Sequence, residues 1–143
     1  MSKAPDFFIV GAMKAGTTFL HECMSHNPSV YLPPQKESHY LLFKKQKDFY
    51  VPNRGNGFTG IIERKWEYES LFKEGGPNQK IGDASIHYLV DEDCPKNILE
   101  YNPEAKIIIV LRDPIKRAKS AYLACKSWGV ENSKTMLEAV EDE

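Results

Sequence analysis

No stretch of this chain is apolar for long enough to cross a bilayer, and its start, MSKAPDFFIVG, carries too short an apolar run for a signal peptide or membrane anchor. A cytoplasmic protein is the expectation. Cysteine is scarce: Cys23, Cys94 and Cys125 are odd in number, far apart and without CxxC or other metal-ligand spacing. Such usage agrees with a reducing compartment, and the three read as small buried or half-buried residues. An excess of charge of either sign is lacking too, since 19 Lys and Arg against 20 Asp and Glu leave a formal net charge of −1. Without a basic field, nucleic acid and anionic membranes are not expected partners. The local cluster Lys36, Lys44, Lys45 and Lys47 reads as a solvated face. No internal repeat or low-complexity tract is present.

What is there fits one globular domain spanning residues 1–143, of which 41% are hydrophobic. A chain of this size buries on the order of two-thirds of its unfolded surface, enough for one core. The rest is organised around Phe7 to Leu20, FFIVGAMKAGTTFL. Four apolar, β-prone residues lead into the glycine-punctuated segment Gly11 to Thr18, and Phe19, Leu20, Cys23 and Met24 then recur with helical period. That is strand, tight loop, helix. Gly11 and Gly16 permit close backbone approach, while Lys14, Thr17 and Thr18 bring one cation and two hydroxyls to a helix N-terminus. Together they predict a phosphate cradle. Gly11 and Gly16 share the spacing of the nucleotide triphosphatase loop GxxxxGK[ST], but Thr17 stands where the lysine belongs and Lys14 lies inside the loop. A different nucleotide is therefore implied.

Further along, His26 to Ser29 stops the helix and Val30 to Leu32 is a short strand candidate closed by Pro33 and Pro34. The following segment, Gln35 to Leu41, gathers acid, base and imidazole where a strand ends, and ligands of open α/β sheets collect at carboxyl ends. Glu37 and His39 become candidate general bases. The plainer alternative makes Glu37 a first-turn helix carboxylate and His39 a surface residue. Lys44 to Gly60 reads as a loop. Glu63 to Lys73 reads as a helix with Trp66, Leu71 and Phe72 near one face, Ile81 to Asp83 as a strand, and Asp91 to Tyr101 as a helix with Pro95 near its start.

The second informative stretch is Lys106 to Trp128. Ile107 to Leu111 is a continuous apolar run, mostly β-branched, that predicts a central parallel strand buried on both faces, adjacent to Phe7 to Val10. Pro114 opens the next helix, so Arg112 sits at a strand's carboxyl end with Ser120 about two turns further on. A guanidinium and a hydroxyl there suit a second phosphate. The competing reading pairs Arg112 with Asp113 or another acid.

These residues carry a family resemblance. GAMKAGTT (Gly11 to Thr18) resembles the 5′-phosphosulfate loop of sulfotransferases that use 3′-phosphoadenosine 5′-phosphosulfate (PAPS). IVLRDPIKRAKSAYLACKSWG (Ile109 to Gly129) resembles their 3′-phosphate motif. PPQKESHYL and GDASIHYL are similar to segments of the heparan sulfate sulfotransferases and their bacterial relatives. The resemblance covers about Pro5 to Gly129 and implies a P-loop-type three-layer α/β sandwich, a central parallel sheet flanked by helices, with the C-terminal part of the family fold missing. It further implies that Lys14, Ala15, Gly16, Thr17 and Thr18 hold the 5′-phosphosulfate, that Arg112 and Ser120 hold the 3′-phosphate, and that Glu37 is the catalytic base with Lys14 stabilising the leaving group. PAP would be the product, no metal is required, and the acceptor would be a small molecule or glycan. Ala84 stands where heparan-type enzymes commonly have lysine. A chain short of the family's later helices is expected to associate with itself or with a partner through the faces of Tyr122, Trp128, Met136, Leu137 and Val140, a symmetric homodimer being simplest and a tail helix folded back onto the core the competing reading. The alternatives are, from another class, a PAPS- or PAP-binding module or pseudoenzyme without transfer activity and, as a lesser reading, a P-loop small-molecule kinase.

Overall fold

The computed structural model describes residues 4–42 and 62–141. The loop expected over Lys44 to Gly60, with Lys44, Lys45 and Lys47 of the basic cluster, lies outside the described residues. Four parallel strands form one sheet in the order β2-β3-β1-β4, with β1 at Phe7–Gly11, β2 at Val30–Tyr31, β3 at Lys80–Ala84 and β4 at Lys106–Ile109. The helices are α1 (Thr17–Ser25), α2 (Lys65–Ser70), α3 (Cys94–Tyr101), α4 (Pro114–Ser127) and α5 (Met136–Glu141), and single 3₁₀ turns lie at Tyr40–Leu42 and Ile86–Leu89.

All five residues of β1 are buried, and their alternation divides the core. Phe8 and Val10 pack with Leu41, Tyr88 and Ile98 on one face, while Phe7 and Ile9 pack with Leu32, Ala84 and, from α1, Leu20 and Met24 on the other. A strand covered on both faces has no use for polar alternation, which is why FFIV is apolar at successive positions. Each such side chain contributes roughly 1.5–3 kcal/mol through burial. The register sets Phe7 against Gly82, and a Cβ at Gly82 would run into the Phe7 ring and come within 2.8 Å of Leu32 Cδ2. The layered α/β expectation holds, with helices and turns on both sides of a parallel sheet.

Strand β4 does lie beside β1, as expected, but among the described residues it is the outermost strand of the sheet rather than a central one buried on both faces. Ile107 and Ile109 are about half exposed and Leu111, beyond the strand end, is 78% exposed. An apolar run reports what a strand prefers to have against it, and here one side of β4 has no strand among the described residues. Three smaller expectations are also corrected. On α1 the inward stripe is Thr17, Leu20, His21 and Met24, whereas Phe19 and Cys23 face outward. On α2 and the turn after it, Tyr68 and Phe72 are buried and Trp66 is exposed, because the helix is one short turn set by Tyr68 stacking on Tyr40. Of the three cysteines, Cys94 is buried and Cys125 half-buried, as expected, and Cys23 is exposed.

Candidate active site

At the carboxyl end of β1 the chain turns through Ala12 to Gly16 into α1. Ala12 N donates to Val110 O at 2.9 Å and Val110 N to Gly11 O at 2.7 Å, which fastens the base of the loop to the segment leaving β4. Gly16, at φ 109°, is the α1 N-cap and makes no side-chain cap, so the first N–H groups of the helix have no side-chain acceptor there. Anion sites use this arrangement, and the φ value explains the glycine. Lys14 also takes a left-handed conformation, φ 64°, which costs on the order of 1 kcal/mol for a residue with a Cβ. Ala15 turns the loop, its N–H donating to Ala12 O at 3.1 Å.

The second wall comes from the adjacent strand. Beyond β4, Arg112 Nη1 donates to Lys14 O at 3.1 Å and so ties the two motifs together. Asp113 is taken up in capping α4, its Oδ1 accepting from Lys116 N at 2.9 Å, and the guanidinium turns to the loop instead of to its neighbour. Ser120 follows on α4, and Trp128, at the end of that helix, lies with its ring centroid 5.9 Å from Lys14 Nζ.

A strap from Pro33 to His39 supplies the third wall. It is held to α1 by His21, whose Nε2–H donates to Pro33 O at 3.1 Å and whose burial pushes its pKa down, favouring the neutral ring. Lys36 Nζ donates to Thr18 Oγ1 at 3.1 Å and lies 3.2 Å from Glu37 Oε1, while Glu37 Oε2 accepts from Ile86 N at 2.9 Å. Glu37 is therefore no first-turn helix carboxylate, and His39, fully buried at 3.8 Å from Glu37, is no surface residue. Glu37, His39 and His87 bring their ligand atoms within 4.8 Å of one another. Lys36, 3.2 Å from Glu37 Oε1, adds a positive charge beside this trio.

The three walls enclose a cleft of about 550 Å³ lined by Lys14, Gly16, Thr17, Thr18, Lys36, Glu37, Arg112 and Ser120, together with Phe19 and Trp128. Of the residues singled out from sequence for the site, all but Gly11, Ala15 and His39 line it, Gly11 being the buried end of β1. Ala15 stands in the turn and His39 behind Glu37. Sequence reasoning missed Lys36, read as part of a solvated face, and Trp128 as a cleft residue. Adjacency of Lys36 to Glu37 was the available signal.

A glycine-punctuated loop and a cationic strand end, side by side at the carboxyl edge of a parallel sheet, define a P-loop-like α/β protein. The family model for the sulfotransferase domain matches residues 4–143, and the chain belongs to the sulfotransferase family. It is 30% identical over 135 residues to the membrane-associated sulfotransferase kil1 of Dictyostelium discoideum, covering 94% of this chain and 26% of that protein. Heparan sulfate glucosamine 3-O-sulfotransferase 5 of Mus musculus is 29% identical over 122 residues, covering 85% of this chain and 31% of the relative. A solved sulfotransferase from Alicyclobacillus acidocaldarius superposes with a TM-score of 0.87 at 32% identity, over 99% of this chain and 57% of that one. The chain thus spans about a quarter to a third of these curated relatives. Among the described residues no helix is long and apolar enough to cross a membrane.

Proposed function

We propose that this chain binds PAPS in the cleft and transfers its sulfuryl group to an acceptor hydroxyl or amine by in-line displacement. The observation that carries the reading is the convergence of Lys14, the uncapped start of α1, Arg112, Ser120 and Glu37 on one cavity. The donor set fits the ligand: three cations, three hydroxyls and a helix N-terminus suit a nucleotide with phosphate at both ends, and the volume is in the range of small-molecule sites. PAPS supplies a sulfuryl group whose bond to the phosphate oxygen breaks as an acceptor lone pair bonds to sulfur. Glu37 takes the acceptor's proton, Lys14 and the α1 N–H groups balance the charge left on the phosphate oxygen, and PAP is released. Lys36, bonded to both Thr18 and Glu37, orients the base toward the loop.

The acceptor is a small molecule or glycan. Ala84 is buried in the sheet core and brings no cation to the acceptor side, unlike the lysine of heparan-type enzymes. We place the protein in the cytoplasm, a reading supported by three free thiols. PAP is expected to bind more tightly than adenosine 5′-phosphate, because a bidentate contact from Arg112 contributes about 1.5 to 3 kcal/mol. Calorimetric titration of both nucleotides, with the parent and Arg112→Ala, tests this: the variant should lose most of the preference. Equal affinities in the parent would overturn the 3′-phosphate assignment, ATP preferred to PAP would favour a kinase, and PAP binding without transfer to any alcohol, amine or sugar would leave a binding module.

A further inference from the structure

The strap that presents Glu37 is strained on both sides of one small residue. Glu37 and His39 both have left-handed φ values, 61° and 51°, and Ser38 between them is fully buried. Neither flanking residue is a glycine, so something must hold the turn. What holds it is a polar cluster under the sheet edge. Ser38 Oγ lies 3.1 Å from Asp83 Oδ2 and 3.1 Å from Tyr88 OH, and Asp83 Oδ2 also accepts from Tyr68 OH at 2.9 Å and Tyr88 OH at 3.0 Å. Ser85 Oγ accepts from His39 N at 3.3 Å, and Ala84 O accepts from Glu37 N at 2.9 Å. The cluster therefore grips the strap on both sides of Ser38 and at its centre, and every gripping group beyond the strap belongs to β3 or the segments packed on it.

The geometry assigns Ser38 and Asp83 as positioning residues: Ser38 is a peg set in the Asp83 carboxylate, and it fixes the left-handed turn that aims Glu37 into the cleft. The inference rests on the reading of Glu37 as proton acceptor for its catalytic consequence, but not for its structural one. A peg is needed because the ring behind Glu37, that of His39 at 3.8 Å, belongs to the same strained strap as Glu37 itself. Its backbone is strained, its side chain is held by Ile86 N at 2.9 Å and Lys36, and both bonds require the turn to be in place. Asp83 suits the socket because a carboxylate stripped of water accepts several O–H groups at once, and Ser38, Tyr68 and Tyr88 supply three.

Ser38→Ala removes the peg with little change of volume, and Asp83→Asn removes the socket's charge while keeping its shape. Amide hydrogen exchange is the direct readout, because Ile86 N–H is protected only while it donates to Glu37. Val110 N–H, bonded to Gly11 O at 2.7 Å, reports the sheet. In Ser38→Ala, exchange at Ile86 should rise about tenfold or more with Val110 unchanged, and PAP affinity should stay within about twofold. Where the parent transfers sulfate, kcat should fall on the order of tenfold at an unchanged KM for PAPS. Ser38→Cys, which retains a small polar group, should recover part of the loss.

An Ile86 amide as slow in both variants as in the parent would overturn the assignment, and so would Ile86 and Val110 accelerating by the same factor, which marks plain destabilisation. If Ser38→Ala fails to fold, Asp83→Asn decides by the same pair of amides. Failure of the functional reading looks different: Glu37→Gln would keep full turnover while the exchange difference persisted.

Discussion

A few side chains decide what this cleft is able to do. Lys14 and Glu37 are assigned to the chemistry rather than to holding the nucleotide, so Lys14→Ala and Glu37→Gln should lower kcat more than they raise the Kd for PAP. Losing a preorganised charge-stabilising donor costs on the order of 10²- to 10³-fold in rate and losing a general base about 10²- to 10⁴-fold, measurable by steady-state assay beside calorimetry. A Glu37→Gln protein with undiminished turnover would move the proton to solvent or to His39. Asp83 gives a second test at this scale. Burial raises its pKa, and the hydrogen bonds from Tyr68, Tyr88 and Ser38 only partly oppose that. The folded state then binds more protons than the unfolded chain between the unfolded value, about 3.9, and the raised folded one, so stability falls as pH rises through that window. Urea unfolding at stepped pH should show the decline in the parent and a flatter profile in Asp83→Asn. A parent whose stability rises from pH 4 to 7 more steeply than the variant's would contradict the sign. Lys14, Glu37, Arg112 and Ser120 were legible in the sequence because their motifs set backbone and side chain within a few residues of one another. Lys36 and Ser38 were not, since their roles depend on Thr18 and Asp83, residues distant in the chain.

Among the elements, β1 carries the fold. Its register against β3 depends on Gly82, where the Phe7 ring occupies the space a side chain would need. Gly82→Ala should destabilise by about 1–3 kcal/mol through overpacking, seen as a lower urea midpoint with an unchanged m-value. A variant as stable as the parent would show that Phe7 swings away freely. The strand, loop and helix sequence around β1 could be read directly, because apolar run, glycine punctuation and helical period each have a local cause. Strand β4 could be read as a strand and as a neighbour of β1, yet not as outermost among the described strands. A run of isoleucine and valine states a preference for burial, while its position in the sheet depends on where the other strands pair. For α1, the predicted stripe held at Leu20 and Met24 and failed at Phe19 and Cys23, because the helix turns Thr17 and His21 inward to serve the loop and the strap, which hydrophobicity alone does not register.

At the scale of the molecule, the exposed apolar surface is the feature with consequences. Ile107, Ile109 and Leu111 beside β4, and Leu137 at 67% and Val140 at 54% exposure on α5, are large apolar side chains left uncovered, and groups of such residues mark interaction surfaces. Helix α5 partly answers this by lying against α4, with Tyr122 OH donating to Lys134 O at 2.9 Å and Met136 half-buried beside Tyr122. Leu137 nonetheless remains outside that contact. We expect the 143-residue chain to self-associate, with Leu137→Glu shifting light-scattering mass toward the monomer. A parent that stays monomeric at high concentration and binds no hydrophobic dye would withdraw the expectation. The sequence by itself determined the α/β class, the strand, glycine loop and helix around β1, the cationic end of β4 and the resemblance that names the family, since each follows from short-range pattern and fixed spacing. The tertiary structure alone decided that β4 is outermost among the described strands, that Lys36 joins the loop to Glu37, and that Ser38 is seated against Asp83. Those facts arise from contacts between residues tens of positions apart, whose partners are chosen by packing and by the need of each buried polar atom for a hydrogen bond.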